Sequence, residues 1–123
     1  MKRLLTIYLP IFIWAGLIFL GSSTVGRSVS NVRLIDFLAH KFVHVTEYVI
    51  FYVLLQRSTK KWWLSLIILG IFAITDEIHQ SFVPGRSPRI TDVLIDISSG
   101  TLGIVILNLW SKLLPKIRTK LKK

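Results

Sequence analysis

The sequence contains no cysteine. That absence excludes a disulfide framework, a thiol nucleophile and a thiolate metal site, and leaves the redox compartment unmarked. Charge is sparse at 18%, and negative charge sparser still, with six Asp and Glu against 16 Lys and Arg and a formal net charge of +10. Internal repeats, low-complexity tracts and a domain boundary are also missing, and 123 residues support one domain over 1–123. What the chain has in excess is apolar residue, 52% of the total, with a mean hydropathy of +0.61. That much excludes disorder. A soluble protein of this size has too little interior to hide it. The composition therefore points to a small membrane protein.

Four segments fit an all-α bundle of four transmembrane helices. Leu4 to Gly21 carries no charge and, as a helix, covers about 27 Å against a hydrocarbon core of roughly 30 Å. Pro10 is tolerated in such a span. Lys2 and Arg3 before this run also suit a cleaved signal peptide, but its apolar stretch exceeds the usual roughly 7–15 residues. The second span, Phe42 to Leu55, crosses the membrane if it is extended back to Leu34. The third, Trp62 to Thr75, crosses if it continues to Gln80. The fourth runs from Val93 to Trp110 and holds one charge, Asp96. Trp62, Trp63 and Trp110 stand where interfacial aromatics are expected.

With both termini cytoplasmic, the inner side receives Lys2, Arg3, Arg57, Lys60, Lys61 and the basic residues from Lys112 to Lys123, eleven of the 16. The outer side receives Arg27, Arg33, Lys41, Arg86 and Arg89, so the positive-inside rule favours this orientation. Basic residues that flank spans are poor evidence for nucleic-acid binding, and the tail suits anionic lipid at the inner surface instead. All six acidic residues and all three histidines then fall on or near the outer half, beside the Ser/Gly-rich loop Gly21 to Asn31.

Residues three, four and seven apart share a helix face. His40, His44 and Glu47 have that spacing, with Lys41 and Tyr48 beside them. Asp76, His79 and Gln80 line up at the end of the third helix. Asp92, Asp96 and Ser99 do so at the start of the fourth, with Gly100 and Gly103 on the same side. Hairpin connections bring these clusters to one membrane face. Ionisable groups in a span usually face protein or a water-filled cavity and suggest function, although mutual satisfaction and helix packing are the bland alternative.

Between the third and fourth spans, Pro84-Gly85 suits a type II turn that holds Arg86 at the mouth of the constellation. An arginine fork suits phosphate or carboxylate, while pairing with Asp92 or Glu77 is the plainer reading. General acid/base work is open to His44, Glu47, Asp76, Glu77 and Asp92. No serine stands in a nucleophile setting, and Ser98 and Ser99 beside Gly100 suggest close helix packing. His40-x-x-x-His44 is a common accident and neither zincin motif occurs, so no metal and no cofactor are expected.

The run His40-Lys41-Phe42-Val43-His44-Val45-Thr46-Glu47-Tyr48 resembles the Lys-x-x-His-x-x-Glu-Tyr element of the VanZ-like family. The run Asp76-Glu77-Ile78-His79-Gln80-Ser81-Phe82-Val83-Pro84-Gly85-Arg86 resembles that family's Asp-Glu-x-x-Gln-x-Phe-x-Pro-Gly-Arg signature, and Asp92, Asp96 and Gly100 follow at the right distance. The chain departs from the pattern at Asp96, where many members have Asn, and at His40, where a different charged residue is expected. The resemblance covers nearly the whole chain. It implies a multi-pass bacterial membrane protein whose namesake is linked to resistance to teicoplanin, a lipoglycopeptide that binds cell-wall precursors.

Together these readings give an expectation. Lys41, His44, Glu47, Tyr48, Asp76, Glu77, Gln80, Arg86, Asp92 and Asp96 form an outward-facing pocket at lipid headgroup depth. The pocket takes an anionic envelope molecule, either a lipid-linked precursor or a lipoglycopeptide. The competing expectation is a hydrolase or transferase acting on an envelope lipid. Membrane lipids are the other expected partners, nucleic acid is not one, and the sequence is silent on oligomeric state.

Overall fold

The computed structural model describes residues 2–23 and 32–120, so most of the expected loop Gly21–Asn31 and the last residues of the basic tail lie outside the described residues. Four helices follow one another: α1 (Lys2–Ser22), α2 (Arg33–Thr59), α3 (Trp62–Gln80) and α4 (Ile90–Lys120). No strand occurs among the described residues. Each helix contains a stretch long and apolar enough to cross a bilayer: Leu5–Ser22, Phe37–Thr59, Trp62–Gln80 and Ile90–Leu114.

The expected extensions of the second and third spans are present, and α1 runs through Pro10 without interruption. The fourth helix starts at Ile90 rather than Val93. Its first turn takes in Asp92, which the sequence already groups with Asp96 and Ser99 at the start of this helix. An acid suits a helix N-terminus, and a lysine from α2 neutralises this one. Lys60 and Lys61 alone link α2 to α3. Lys60 takes a left-handed conformation (φ 59°) and its N–H closes α2 onto the Gln56 carbonyl at 3.1 Å.

Burial is that of a protein in lipid. Among the described residues, the buried apolar side chains are Ile18, Tyr48, Phe51, Tyr52, Leu55, Leu69 and Ala73. An equal number of buried residues is polar, namely Ser22, Ser65, Asp76, Glu77, Gln80, Asp96 and Ser99. Meanwhile Phe12, Phe42, Ile71, Leu94 and many other large apolar residues stand exposed. In water that distribution would be inverted. In a bilayer the lipid solvates the apolar exterior, and polar groups are driven inward to find partners.

Two glycines set the spacing of α4. A Cβ on Gly100 would lie 2.8 Å from Leu66 Cδ2 and 3.2 Å from Leu69 Cδ1, both on α3. A Cβ on Gly103 would lie 2.6 Å from Tyr52 Cδ1 on α2. These small residues let α4 approach both neighbours, as the sequence suggested. Phe72 completes the interior, with ring centroids 4.8 Å from Phe51 and 6.3 Å from Tyr48.

Side-chain register fixes the relative directions. Lys41 meets Asp92, His44 meets Asp96 and Tyr52 meets Gly103, so α2 and α4 advance together. Ser22 meets Asp76 and Ser23 meets His79, so α1 and α3 end together. The C-terminal ends of α1 and α3 and the N-terminal ends of α2 and α4 therefore share one end of the bundle. Every acidic residue with a described side chain is at that end.

Candidate functional site

The shared end is built from two sets of contacts, one along α2 and α4, the other along α1 and α3. On the first, Lys41 Nζ donates to Asp92 Oδ1 at 2.6 Å, with both side chains partly exposed. One turn deeper, His44 Nδ1 stands 3.7 Å from Asp96 Oδ1. A further turn along α2 brings Tyr48, completely buried, whose neighbours include Asp96, Asp76 and Glu47. Tyr52 packed on Gly103 closes the column below. The three-and-four spacing read from the sequence is what puts these groups on one seam.

The second set centres on Asp76, which is 1% exposed. Ser22 Oγ donates to Asp76 Oδ1 at 2.5 Å, and Gln80 Nε2 donates to Asp76 Oδ2 at 2.9 Å. Gln80 then presents its Oε1 to Arg86 Nη1 at 3.2 Å. A hydrogen-bonded chain thus runs from the end of α1, through α3, to the loop arginine. Hydrogen bonds to an ionised carboxylate are worth about 1.5–3 kcal/mol each, and leaving such a group unpaired in this interior costs more.

Local backbone geometry places Arg86. Pro84 and Gly85 occupy the middle of a turn closed by the Arg86 N–H on the Val83 carbonyl at 3.1 Å. Gly85 has a φ of 83°, the positive value that a type II turn requires at its third residue. The sequence expectation for this turn is met. Neither plain pairing foreseen for Arg86 describes Asp92 or Glu77, however. Asp92 binds Lys41, and Glu77 Oε1 accepts the backbone N–H of Arg89, which ties the end of α3 to the start of α4.

Three buried atoms lack a hydrogen-bond partner among the described residues: His44 Nδ1, Tyr48 Oη and Asp96 Oδ1. They belong to the same seam, beneath the Lys41–Asp92 pair. Together they bring an imidazole, a phenol and a carboxylate to one buried seam, groups able to donate, accept or transfer a proton. Among the described residues no three His, Asp or Glu side chains come together as ligands of a metal ion.

Sequence reading singled out neither Ser22 nor Trp14 as part of this site. The sequence assigns Ser22 to the loop from Gly21 to Asn31, whereas it is the last residue of α1 and the donor to Asp76. Trp14 Nε1 donates to the Glu47 carbonyl at 2.9 Å, which joins α1 to α2 at the depth of the cluster. Ser23 Oγ lies 2.8 Å from His79 Nε2, while Phe19 stacks on the same imidazole with centroids 3.8 Å apart. The available signal was a Ser-Ser pair ending an apolar helix opposite a carboxylate in a neighbouring span.

A model of the VanZ/LLP1 family matches residues 6–111. The chain belongs to the VanZ/LLP1 family. The match begins in the first helix and ends in the fourth, so every site residue described above lies inside it. Curated proteins and solved structures yield no match. Family membership and the four apolar helices together make this a multi-pass membrane protein. In this VanZ/LLP1 member Lys41, His44, Glu47 and Tyr48 come from α2, Asp76, Glu77 and Gln80 from α3, Asp92 and Asp96 from α4, and Arg86 from the connecting loop. All ten sit at the shared end.

Proposed function

We propose that this VanZ/LLP1 protein binds an anionic cell-envelope molecule, a lipid-linked precursor or a lipoglycopeptide, at the polar end of its bundle. In this reading the polar end faces outward from a bacterial cell membrane, and binding contributes to resistance to glycopeptides such as teicoplanin. The observation that carries it is the chain Ser22–Asp76–Gln80–Arg86, which holds a guanidinium at the mouth of the cluster. A long flexible cation fixed in advance loses less freedom on binding, and its planar fork matches phosphate and carboxylate. Lys41 supplies a second cation at the same end. His44, Glu47, Tyr48, Asp76, Glu77, Asp92 and Asp96 orient the ligand or hold the cations.

The test is teicoplanin susceptibility of cells expressing the native chain, Arg86→Ala or Arg86→Lys, with membrane levels compared by immunoblot. Arg86→Ala at normal level should abolish the protective effect, and Arg86→Lys should restore part of it. Unchanged susceptibility in Arg86→Ala would remove this role.

A second reading is favoured by the three buried atoms of His44, Tyr48 and Asp96 that lack partners among the described residues. They would supply acid/base chemistry for a hydrolase or transferase acting on an envelope lipid. Turnover of such a lipid by purified protein, lost in Glu77→Gln and His44→Gln, would favour this reading over binding alone.

A further inference from the structure

On the lipid-facing side of the same end, α3 and α4 leave a groove of about 590 Å³ between them. Its walls are Ile74 and Ile78, one turn apart on α3, and Val93 and Leu94 on α4. Glu77 and Arg89 line the end towards the loop. Ile74, Ile78 and Leu94 are each at least half exposed, so these walls face the surroundings of the bundle and not its core. Further along, α3 and α4 close tightly where Gly100 meets Leu66 and Leu69, which ends the groove. The volume falls in the range of about 300–1,000 Å³ usual for small-molecule sites.

We infer that this groove binds a lipid phosphate of the bilayer, with one hydrocarbon tail along Ile74, Ile78, Val93 and Leu94 and the phosphate on Arg89. The inference goes beyond the reading above, because the groove is a separate site beside the Arg86 cluster.

Three observations fix the occupant. A groove open to the side of a membrane-spanning bundle is entered by what surrounds it, and an apolar wall of this shape takes a hydrocarbon chain. The Arg89 side chain is exposed and, among the described residues, unpaired, and it stands at the loop end, where headgroups lie. Its fork suits a phosphate in two-point contact. Finally, Glu77 lines the groove with a carboxylate, 9% exposed, one oxygen of which is engaged by the Arg89 backbone N–H. The polar groups of the groove are thus confined to its loop end, while Ile74, Ile78, Val93 and Leu94 wall the rest, so the headgroup belongs at Arg89 and the tail along the apolar walls. A zwitterionic headgroup gains less, because its own cation meets Arg89 unfavourably.

The experiment uses the purified full chain in phosphatidylcholine nanodiscs containing a phosphatidic acid with a diazirine in its tail. Crosslinks are mapped by mass spectrometry. The exposed apolar face of α1 (Leu9, Phe12, Ile13) gives the internal level for ordinary lipid contact. Crosslinks should concentrate severalfold on Ile74, Ile78, Val93 and Leu94 relative to that face. Unlabelled phosphatidic acid should compete, and added phosphatidylcholine should not. Arg89→Gln should bring the groove down to the α1 level, and Leu94→Trp should block it with the fold intact by circular dichroism. Uniform labelling, or a groove signal indifferent to Arg89→Gln, overturns the inference and leaves the Arg86 susceptibility test untouched. Specific groove labelling beside an inert Arg86→Ala overturns the Arg86 reading and leaves the lipid site in place.

Discussion

Gly103 of α4 lies so close to Tyr52 of α2 that a Cβ there would come within 2.6 Å of the ring and 3.3 Å of the tyrosine's own Cβ. The near end of Tyr52 is involved, and this ring is fully buried, so it has little room to move aside. Gly103→Ala should therefore destabilise the bundle by about 1–3 kcal/mol, the usual penalty for overpacking. Thermal unfolding in detergent would register it, and pairing the change with Tyr52→Leu should recover most of the loss. A Gly103→Ala protein as stable as the native one would show that α2 and α4 are not packed in this register.

Asp76 leads to a second prediction. Both of its oxygens are occupied, by Ser22 from α1 and Gln80 from its own helix. Ser22→Ala removes a partner from a buried carboxylate and should lower stability by about 1–3 kcal/mol. Asp76→Asn should be milder, since an amide retains one acceptor for either donor. The melting temperature of the two variants in one detergent would rank them, and the reverse order would place the carboxylate elsewhere than between α1 and α3.

Most of the architecture was legible because a bilayer imposes length and apolarity on each span, and both can be counted along the chain. The seam between α2 and α4 was legible for a related reason. Lys41, His44 and Tyr48 recur at helical spacing, and so do Asp92, Asp96 and the glycines, and two parallel helices carry such patterns into register. Ser22 was not legible. A hydroxyl at the end of an apolar run reads equally well as the start of a loop, and only the position of Asp76 on another helix makes it a donor. Glu77 was placed correctly at the polar end, but its partner is a backbone N–H, which no pattern of side chains announces. The α3–α4 groove escaped for the opposite reason. Ile74, Ile78, Val93 and Leu94 look in sequence like any lipid-facing residues, and the indentation arises only from how two helices meet.

The Lys41–Asp92 pair calls for a modest number. Its atoms are 2.6 Å apart, yet both side chains are about one-quarter exposed, so solvent and headgroups share them. A double-mutant cycle with Lys41→Met and Asp92→Asn should give a coupling of about 0.2–1 kcal/mol, as for other partly exposed ion pairs. The charge-reversed pair Lys41→Asp with Asp92→Lys should keep part of that coupling. A coupling of zero would leave Lys41 to the ligand alone, whereas several kcal/mol would make the pair a structural clamp.

Orientation is the last prediction, and the envelope reading depends on it. Among the described residues, nine basic ones belong to the α2–α3 link and the outer ends of α1, α2 and α4, and four to the other end of the bundle, and the positive-inside rule turns that bias into a direction. The cysteine-free sequence makes single-cysteine labelling clean. Ser87 in the α3–α4 loop and Lys61 in the α2–α3 link are both exposed and lie at opposite ends of the bundle. An impermeant maleimide added to intact cells should modify Ser87→Cys and spare Lys61→Cys until the cells are broken. The reverse pattern would put Arg86, Arg89 and the whole polar end in the cytoplasm. Anions there would be cytoplasmic ones, and a lipoglycopeptide arriving from outside could not meet Arg86 at all.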